Sequence, residues 1–198
     1  MSVDPGRFRG VYALIDPAAH TEPLAYLEAL LRGGIRLMQI RAKGGIAPEL
    51  LRTVVARIRA AGGTAIINDD VDLALEADGV HLGQEDLAGH DLRALRARLG
   101  PRAIGLSCGT PGEARAVPAG LVDYLAALLR GGIRLVQIRA KGGIATPLPV
   151  AAIGGIALAS LPRVRETGAT MAAVISALSG AADPEATARA FVTAWNKP

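Results

Sequence analysis

The chain has 198 residues, 51% apolar and 20% charged, with 24 Gly, 12 Pro, one Cys and six aromatic residues; this excludes intrinsic disorder and suits one sizeable core. The formal charge of +4 comes from 19 Arg and 3 Lys against 18 carboxylates. The arginines are strung along helical stretches (Arg52, Arg57, Arg59; Arg93, Arg96, Arg98), and so few aromatics leave little to stack on bases, so no nucleic-acid partner is expected.

Short runs of β-branched and aliphatic residues alternate with amphipathic stretches, the pattern of parallel β/α units. Chain order predicts a strand over residues 11–15, a helix over 23–32, a strand over 36–41 and a helix over 48–61. Strands over 64–68, 79–82 and 103–107 follow, with a helix over 92–99 between the last two. Strands over 150–153 and 171–175 bracket a helix over 158–167, and 184–195 reads as the closing helix. Gly33-Gly34, Gly62-Gly63, Gly100 and Gly168 stand where helix ends belong. Residues 142–162 carry no charge and no His, but Pro147, Pro149, Pro162 and four glycines break them into turn, strand, turn and helix, so no membrane partner is expected. The lone Cys108 forms no internal disulfide and the N-terminus has no apolar run of signal-peptide length, which predicts a cytoplasmic protein.

Seven strands are clear, and residues 121–141 have to supply the eighth. The expected fold class is α/β, a single-domain (βα)8 TIM barrel over residues 1–198, compact beside the usual ~250 residues. An open doubly wound sheet would want a Gly-rich fingerprint after its first strand, and Ile15-Asp16-Pro17-Ala18-Ala19 has none. The sixth unit is atypical. Residues 124–145 nearly copy residues 26–47 at an offset of 98, differing only at Glu28/Ala126 and Met38/Val136. Structural repeats drift and recur in arrays, so two near-identical copies inside unrelated flanks read as a pasted segment; a recent duplication, a graft and an assembly error leave the same trace.

In a barrel the site forms on loops after the C-terminal strand ends. Gln39, Arg41 and Lys43 follow the second strand at a spacing of two, hence on one face of extended chain; Arg offers a planar fork and Lys a mobile charge, a pair suited to a diphosphate. Asn68-Asp69-Asp70 ends the third strand, and His81-Leu82-Gly83-Gln84-Glu85-Asp86 spans the end of the fourth. Carboxylates at adjacent strand tips suit Mg²⁺, which binds through one or two carboxylates plus phosphate oxygens. Asp69 and Asp86 are the expected ligands, and Asp70 and Asp72 helix-start residues. His81 is expected as a hydrogen-bonded core or rim residue. Ser107 offers a hydroxyl to substrate but is no triad nucleophile, because no His stands as an obvious base. Cys108 reads as a small buried hydrophobe. Gly154-Gly155 and Ile175-Ser176 end the seventh and eighth strands, where barrels commonly hold phosphate on backbone N–H groups. Two anion sites are therefore expected.

These residues resemble the thiamine-phosphate synthase (thiamine-phosphate pyrophosphorylase) family. The resemblance is carried by GVYALID, RLMQIRAK, AIINDDVDLALEADGVHLGQEDL, IGLS, VAAIGGI and the VISAL segment ahead of an Asp-Pro helix, and covers residues 10–123 and 147–194. It implies a Mg²⁺-dependent transferase that joins the diphosphate ester of 4-amino-5-hydroxymethyl-2-methylpyrimidine to hydroxyethylthiazole phosphate and releases pyrophosphate. It further implies that Gln39, Arg41, Lys43, Asn68 and Ser107 bind the pyrimidine substrate and that Asp69 and Asp86 bind Mg²⁺. Gly155, Ile175 and Ser176 would hold the thiazole phosphate. Arg41, Lys43 and Ser107 are the catalytic candidates, acting by charge stabilisation and positioning with no covalent intermediate. A homodimer is expected for such a barrel.

The family's sixth strand leads into a Gly-Pro loop with Thr-x-Thr-Lys, and nothing between Leu121 and Pro149 matches it. If residues 134–139 form the sixth strand, the favoured threading, then Gln137, Arg139 and Lys141 reach the mouth and stand in for the missing Lys. If residues 121–126 form it, the copy is crossover chain. The departure predicts better binding of the pyrimidine diphosphate than of the thiazole phosphate, with reduced turnover. The alternatives are a catalytically inactive or chimeric barrel of the same fold, and the related thiazole tautomerase, which lacks the pyrimidine-diphosphate residues and places a His where Gly109 stands.

Overall fold

The computed structural model describes residues 4–42, 44–87, 89–118, 120–128 and 146–197. Eight parallel strands close on themselves in sequence order: β1 (Gly10–Ile15), β2 (Leu37–Ile40), β3 (Thr64–Asn68), β4 (Gly79–Leu82), β5 (Ala103–Cys108), β6 (Tyr124–Leu128), β7 (Val150–Ile153) and β8 (Met171–Val174), with β8 pairing back onto β1. Around them lie helices α1 (Pro23–Arg32), α2 (Pro48–Ala60), α3 (Gln84–Leu87), α4 (Leu92–Leu99), α5 (Pro111–Ala116), α6 (Leu161–Glu166), α7 (Ser176–Ser179) and α8 (Pro184–Asn196). Local chemistry starts several of them. Asp91 accepts from the Ala94 amide at 2.8 Å to cap α4, and Asp183 accepts from Ala186 at 2.9 Å to cap α8. Thr110 and Glu113 close a capping box at α5. The expected helix over 158–167 is shorter: a 3-10 turn at Leu158–Ser160 precedes α6, with Pro162 in the first turn, where its missing N–H costs nothing.

Strands buried on both faces are apolar throughout, and here the two faces feed two cores. Val11, Ala13, Ile15, Met38 and Ile40 point outward to the helices, whereas Tyr12, Leu14, Leu37, Ile66, Ala103 and Met171 fill the barrel with Phe8 below them. Climbing β2, β3 and β5, the inward residues turn polar: Leu37 gives way to Gln39, Ile66 to Asn68, and Ala103 to Ser107. That change of character places the polar groups at the C-terminal mouth.

The favoured threading of the sixth strand is overturned. β6 is Tyr124–Leu128, overlapping the second threading, while residues 134–139, with Gln137, Arg139 and Lys141, lie outside the described residues. Two contacts explain the choice. A Cβ on Gly105 would come within 2.1 Å of the Tyr124 ring, so the bare backbone of β5 makes the slot that Tyr124 fills at its register partner. One residue earlier, Asp123 accepts from the Ile104 amide at 2.8 Å and from Arg96 Nη2 at 2.5 Å. Arg96 also donates to the carbonyls of Leu121, Gly100 and Arg102, which fastens the entry to β6 onto the α4–β5 connection. Tyr26–Leu30, the near-copy of these five residues, is helical within α1. Tertiary context decides the state of this sequence against its propensity.

Candidate active site

Gln39 sits near the end of β2 with 3% of its surface exposed, facing into the barrel. Its Nε2 donates to the Tyr12 hydroxyl at 3.0 Å, which lies 2.7 Å from the Tyr124 hydroxyl. The Tyr124 hydroxyl is in turn 3.0 Å from His81 Nδ1, and His81 Nε2 is 2.9 Å from Ser107 Oγ. Five side chains from β1, β2, β4, β5 and β6 thus form one hydrogen-bonded chain across the barrel interior. Burial drives the pKa values of both tyrosines above the ordinary phenol value and pulls His81 down to about 4, with Asp86 opposing the fall, so all three are neutral at pH 7.

With Gln39 donating, one proton order gives both tyrosine protons and the imidazole proton an acceptor. Tyr12 donates to Tyr124, Tyr124 to Nδ1 of His81, and Nε2–H of His81 to Ser107. The Ser107 hydroxyl keeps its own proton to donate into the mouth. The expectation that no His stands as an obvious base for Ser107 is corrected in placement, since His81 is its hydrogen-bond partner, but in this proton order the imidazole is the donor. A histidine that already donates to the hydroxyl cannot take its proton, so Ser107 is still no activated nucleophile. His81 is 6% exposed and hydrogen-bonded, as expected of a core residue.

Arg41 follows β2, its backbone N–H donating to Ile15 at 2.8 Å. Its Nε is buried and has no hydrogen-bond partner among the described residues, and neither has the buried Oδ1 of Asp16 just past β1. Lys43 lies outside the described residues. Asn68 ends β3 and donates from Nδ2 to Asp69. Asp69 takes a left-handed backbone at φ 65°, held by its amide on the His81 carbonyl at 2.9 Å. Asp86, in α3, accepts from the Gly83 amide at 3.1 Å. Asp70 does start the next turn, accepting from Leu73 N at 2.9 Å, but the Asp72 side chain makes no cap and pairs with Arg98 instead. Among the described residues no three His, Cys, Asp or Glu side chains converge as a metal cluster. The hard carboxylates of Asp69 and Asp86, after the paired strands β3 and β4, still fit the sparse protein ligation of Mg²⁺.

Gly155 ends the β7 turn at φ +57°, a conformation that suits glycine, and a side chain there would face open space. Ile175 and Ser176 follow β8, both exposed, with Ser176 opening α7. β7 and β8 are paired, so these two turns stand side by side at the same mouth. Cys108 is a buried outward-facing hydrophobe whose thiol is pushed up to about 11, first by burial and then by Glu113. Sequence reasoning missed Tyr12, Tyr124 and Asp16 as members of this site. The one available signal for the tyrosines was a hydroxyl that has to find a partner when buried.

The fold and this mouth define a single-domain (βα)8 barrel enzyme with its polar groups gathered beyond the C-terminal strand ends. Residues 11–127 match the family model for thiamine monophosphate synthase. The thiamine-phosphate synthase of Halorhodospira halophila is 36% identical over 212 aligned positions, covering 100% of this chain and 99% of that protein. The thiamine biosynthesis bifunctional protein ThiM/ThiE of Symbiobacterium thermophilum is 41% identical across 92% of this chain, which spans 40% of that longer protein. The solved thiamine phosphate pyrophosphorylase of Pyrococcus furiosus superposes with a TM-score of 0.80 at 26% identity, covering 97% of this chain and 98% of its own. The chain belongs to the thiamine monophosphate synthase family, whose work is thiamine phosphate synthesis, a transferase reaction of thiamine biosynthesis. No helix among the described residues is long and apolar enough to cross a membrane.

Proposed function

We propose that this chain condenses 4-amino-2-methyl-5-(diphosphooxymethyl)pyrimidine with hydroxyethylthiazole phosphate at the C-terminal mouth, in the cytoplasm and as a homodimer. The observation that carries the residue assignment is Arg41, whose buried Nε has no acceptor among the described residues. A guanidinium N–H withdrawn from water needs an acceptor, and a diphosphate supplies one that also matches its charge. Ser107, with its proton aimed outward by the chain from Gln39, fits an acceptor such as a pyrimidine ring nitrogen. Asn68 contributes a further contact to that substrate.

In the reaction the methylene C–O bond to the diphosphate breaks, the electron pair leaving with pyrophosphate, and the thiazole nitrogen lone pair forms the new C–N bond. Arg41 and Lys43 hold the growing charge of the leaving group, and Ser107 fixes the ring so that the carbon faces the thiazole. Asp69 and Asp86 would hold Mg²⁺, which when bound supplies further positive charge beside the diphosphate. The turns at Gly155, Ile175 and Ser176 hold the thiazole phosphate from the facing side.

Calorimetric titration with each substrate, followed by measurement of thiamine phosphate formation with and without Mg²⁺, tests this reading. Expected are tighter binding of the pyrimidine diphosphate than of the thiazole phosphate, and turnover below that of a relative that carries the Thr-x-Thr-Lys loop. Binding of neither substrate favours the inactive barrel. Turnover equal to the relative's refutes the weight given to the missing loop, and size-exclusion chromatography tests the dimer.

A further inference from the structure

A concavity of about 1050 Å³ lies at the opposite, N-terminal end of the barrel. Its rim carries Arg7, Arg9, Arg36, Arg59 and Arg165, and Trp195 of α8 forms part of its wall. Five arginines face two carboxylates there, and both carboxylates are engaged. Asp78 pairs with Arg59 at 2.9 Å and accepts from Ala65 N at 2.9 Å, while Asp4 accepts from Gly6 N at 2.9 Å. Arg36 donates to the carbonyl of Leu31 in the last turn of α1 at 2.8 Å and to that of Ile35 just beyond the helix at 2.9 Å, the first of which offsets the negative end of that helix. The side chains of Arg7, Arg9 and Arg165 have no hydrogen-bond or ion-pair partner among the described residues. Hydrogen bonds to amides and carbonyls leave formal charges in place, so five arginines against two carboxylates give the hollow a net charge of +3, which raises the local concentration of anions. Beside the arginines is a half-buried indole, the chain's single Trp, a flat apolar surface suited to a ring.

We propose that this hollow is a second ligand site, distinct from the catalytic mouth, for a di- or triphosphate ester bearing a planar ring, the chemistry of a nucleotide. The phosphates lie among Arg7, Arg9 and Arg165, and the ring lies against Trp195. The barrel between the two ends is filled by Phe8, Tyr12, Leu14, Leu37, Ile66 and Met171, so one ligand does not reach both ends. This assignment stands on the arginines and the indole alone and is independent of the residue roles at the mouth.

Trp195 is also the reporter, because all tryptophan emission comes from this site. Adenosine diphosphate is titrated into the intact protein while that emission is followed, with inorganic pyrophosphate and adenosine as separate arms. A saturable change with the diphosphate ester is expected, weaker with either fragment, retained in Arg41→Ala, and weakened at least about tenfold in the combined variant Arg7→Ala, Arg9→Ala, Arg165→Ala. The single reversals Arg7→Glu and Arg165→Glu, checked by circular dichroism, give the same readout if the combined variant loses its fold. No saturable change overturns the site, as does a response that survives all the arginine variants or disappears in Arg41→Ala alone. Pyrophosphate binding as tightly as the nucleotide overturns the role of Trp195.

Discussion

Replacing Tyr124 by Phe removes one oxygen from the middle of the buried chain and leaves the ring. The ring keeps its stacking on Phe8 at 4.7 Å and on His81 at 5.4 Å, so the packing loss is small. What remains is a Tyr12 hydroxyl without its acceptor and a His81 Nδ1 without its donor, both buried. Each orphaned group costs about 1–3 kcal/mol, partly offset by burying a phenyl in place of a phenol, so the expected loss is about 2–4 kcal/mol. In a chain of this size that lowers Tm by roughly 5–15 °C. The near-copy provides the control. The hydroxyl of Tyr26 is buried with no partner among the described residues, and burial pushes its pKa up to about 12. Removing it by Tyr26→Phe is therefore neutral or slightly stabilising. Urea unfolding followed by far-UV circular dichroism, at constant m, separates the two. Equal midpoints for the two variants would refute the hydrogen-bond argument.

His81 gives the fold a pH dependence. Its folded pKa of about 4 lies below its unfolded value of 6.5, so between these values only the unfolded chain takes up the proton. The contribution is complete above pH ~6.5 and is lost as pH falls toward ~4, about 3 kcal/mol in all; urea midpoints across that window should flatten in His81→Gln. Arg96→Ala strands a carboxylate only 7% exposed and is expected to cost about 3–5 kcal/mol, whereas Arg52→Ala, at an exposed pair, should cost less than about 1 kcal/mol. Asp69→Gly relieves a left-handed backbone, raising stability by about 1 kcal/mol at most while weakening Mg²⁺ binding by calorimetry; unchanged Mg²⁺ affinity would remove Asp69 from the ligand set.

Seven of the eight strands were legible to within two residues, because runs such as Ala65-Ile66-Ile67 and Val11 through Ile15 are buried on both faces and leave a continuous apolar trace. The mouth was legible for a related reason. Gln39, Asn68 and Ser107 interrupt those runs near their C-terminal ends, where an apolar residue would otherwise continue. β6 was hidden because Tyr-Leu-Ala-Ala-Leu carries no β-branched residue and matches a helix elsewhere in the chain. The hydrogen-bonded chain was hidden because its central contact joins residues 112 apart, a neighbourhood created by barrel closure and register and written in neither local sequence. Of the two expected helix-start residues Asp70 caps its turn and Asp72 does not, because Arg98 on α4, distant in sequence, draws the Asp72 carboxylate away.

The slot beside β6 bears on how this barrel tolerates change. Its requirements are an aromatic ring at 124 opposite a bare backbone at 105, a small inward residue at 126, and aliphatic groups turned outward at 125 and 127. Only the first of these is exacting. A stretch of foreign or borrowed sequence that satisfies it is drafted as the sixth stave whatever shape it held in its place of origin. The wall of the barrel can therefore outlast a change in the loop it carries, and descent of the scaffold and retention of the chemistry become separable inheritances in this chain.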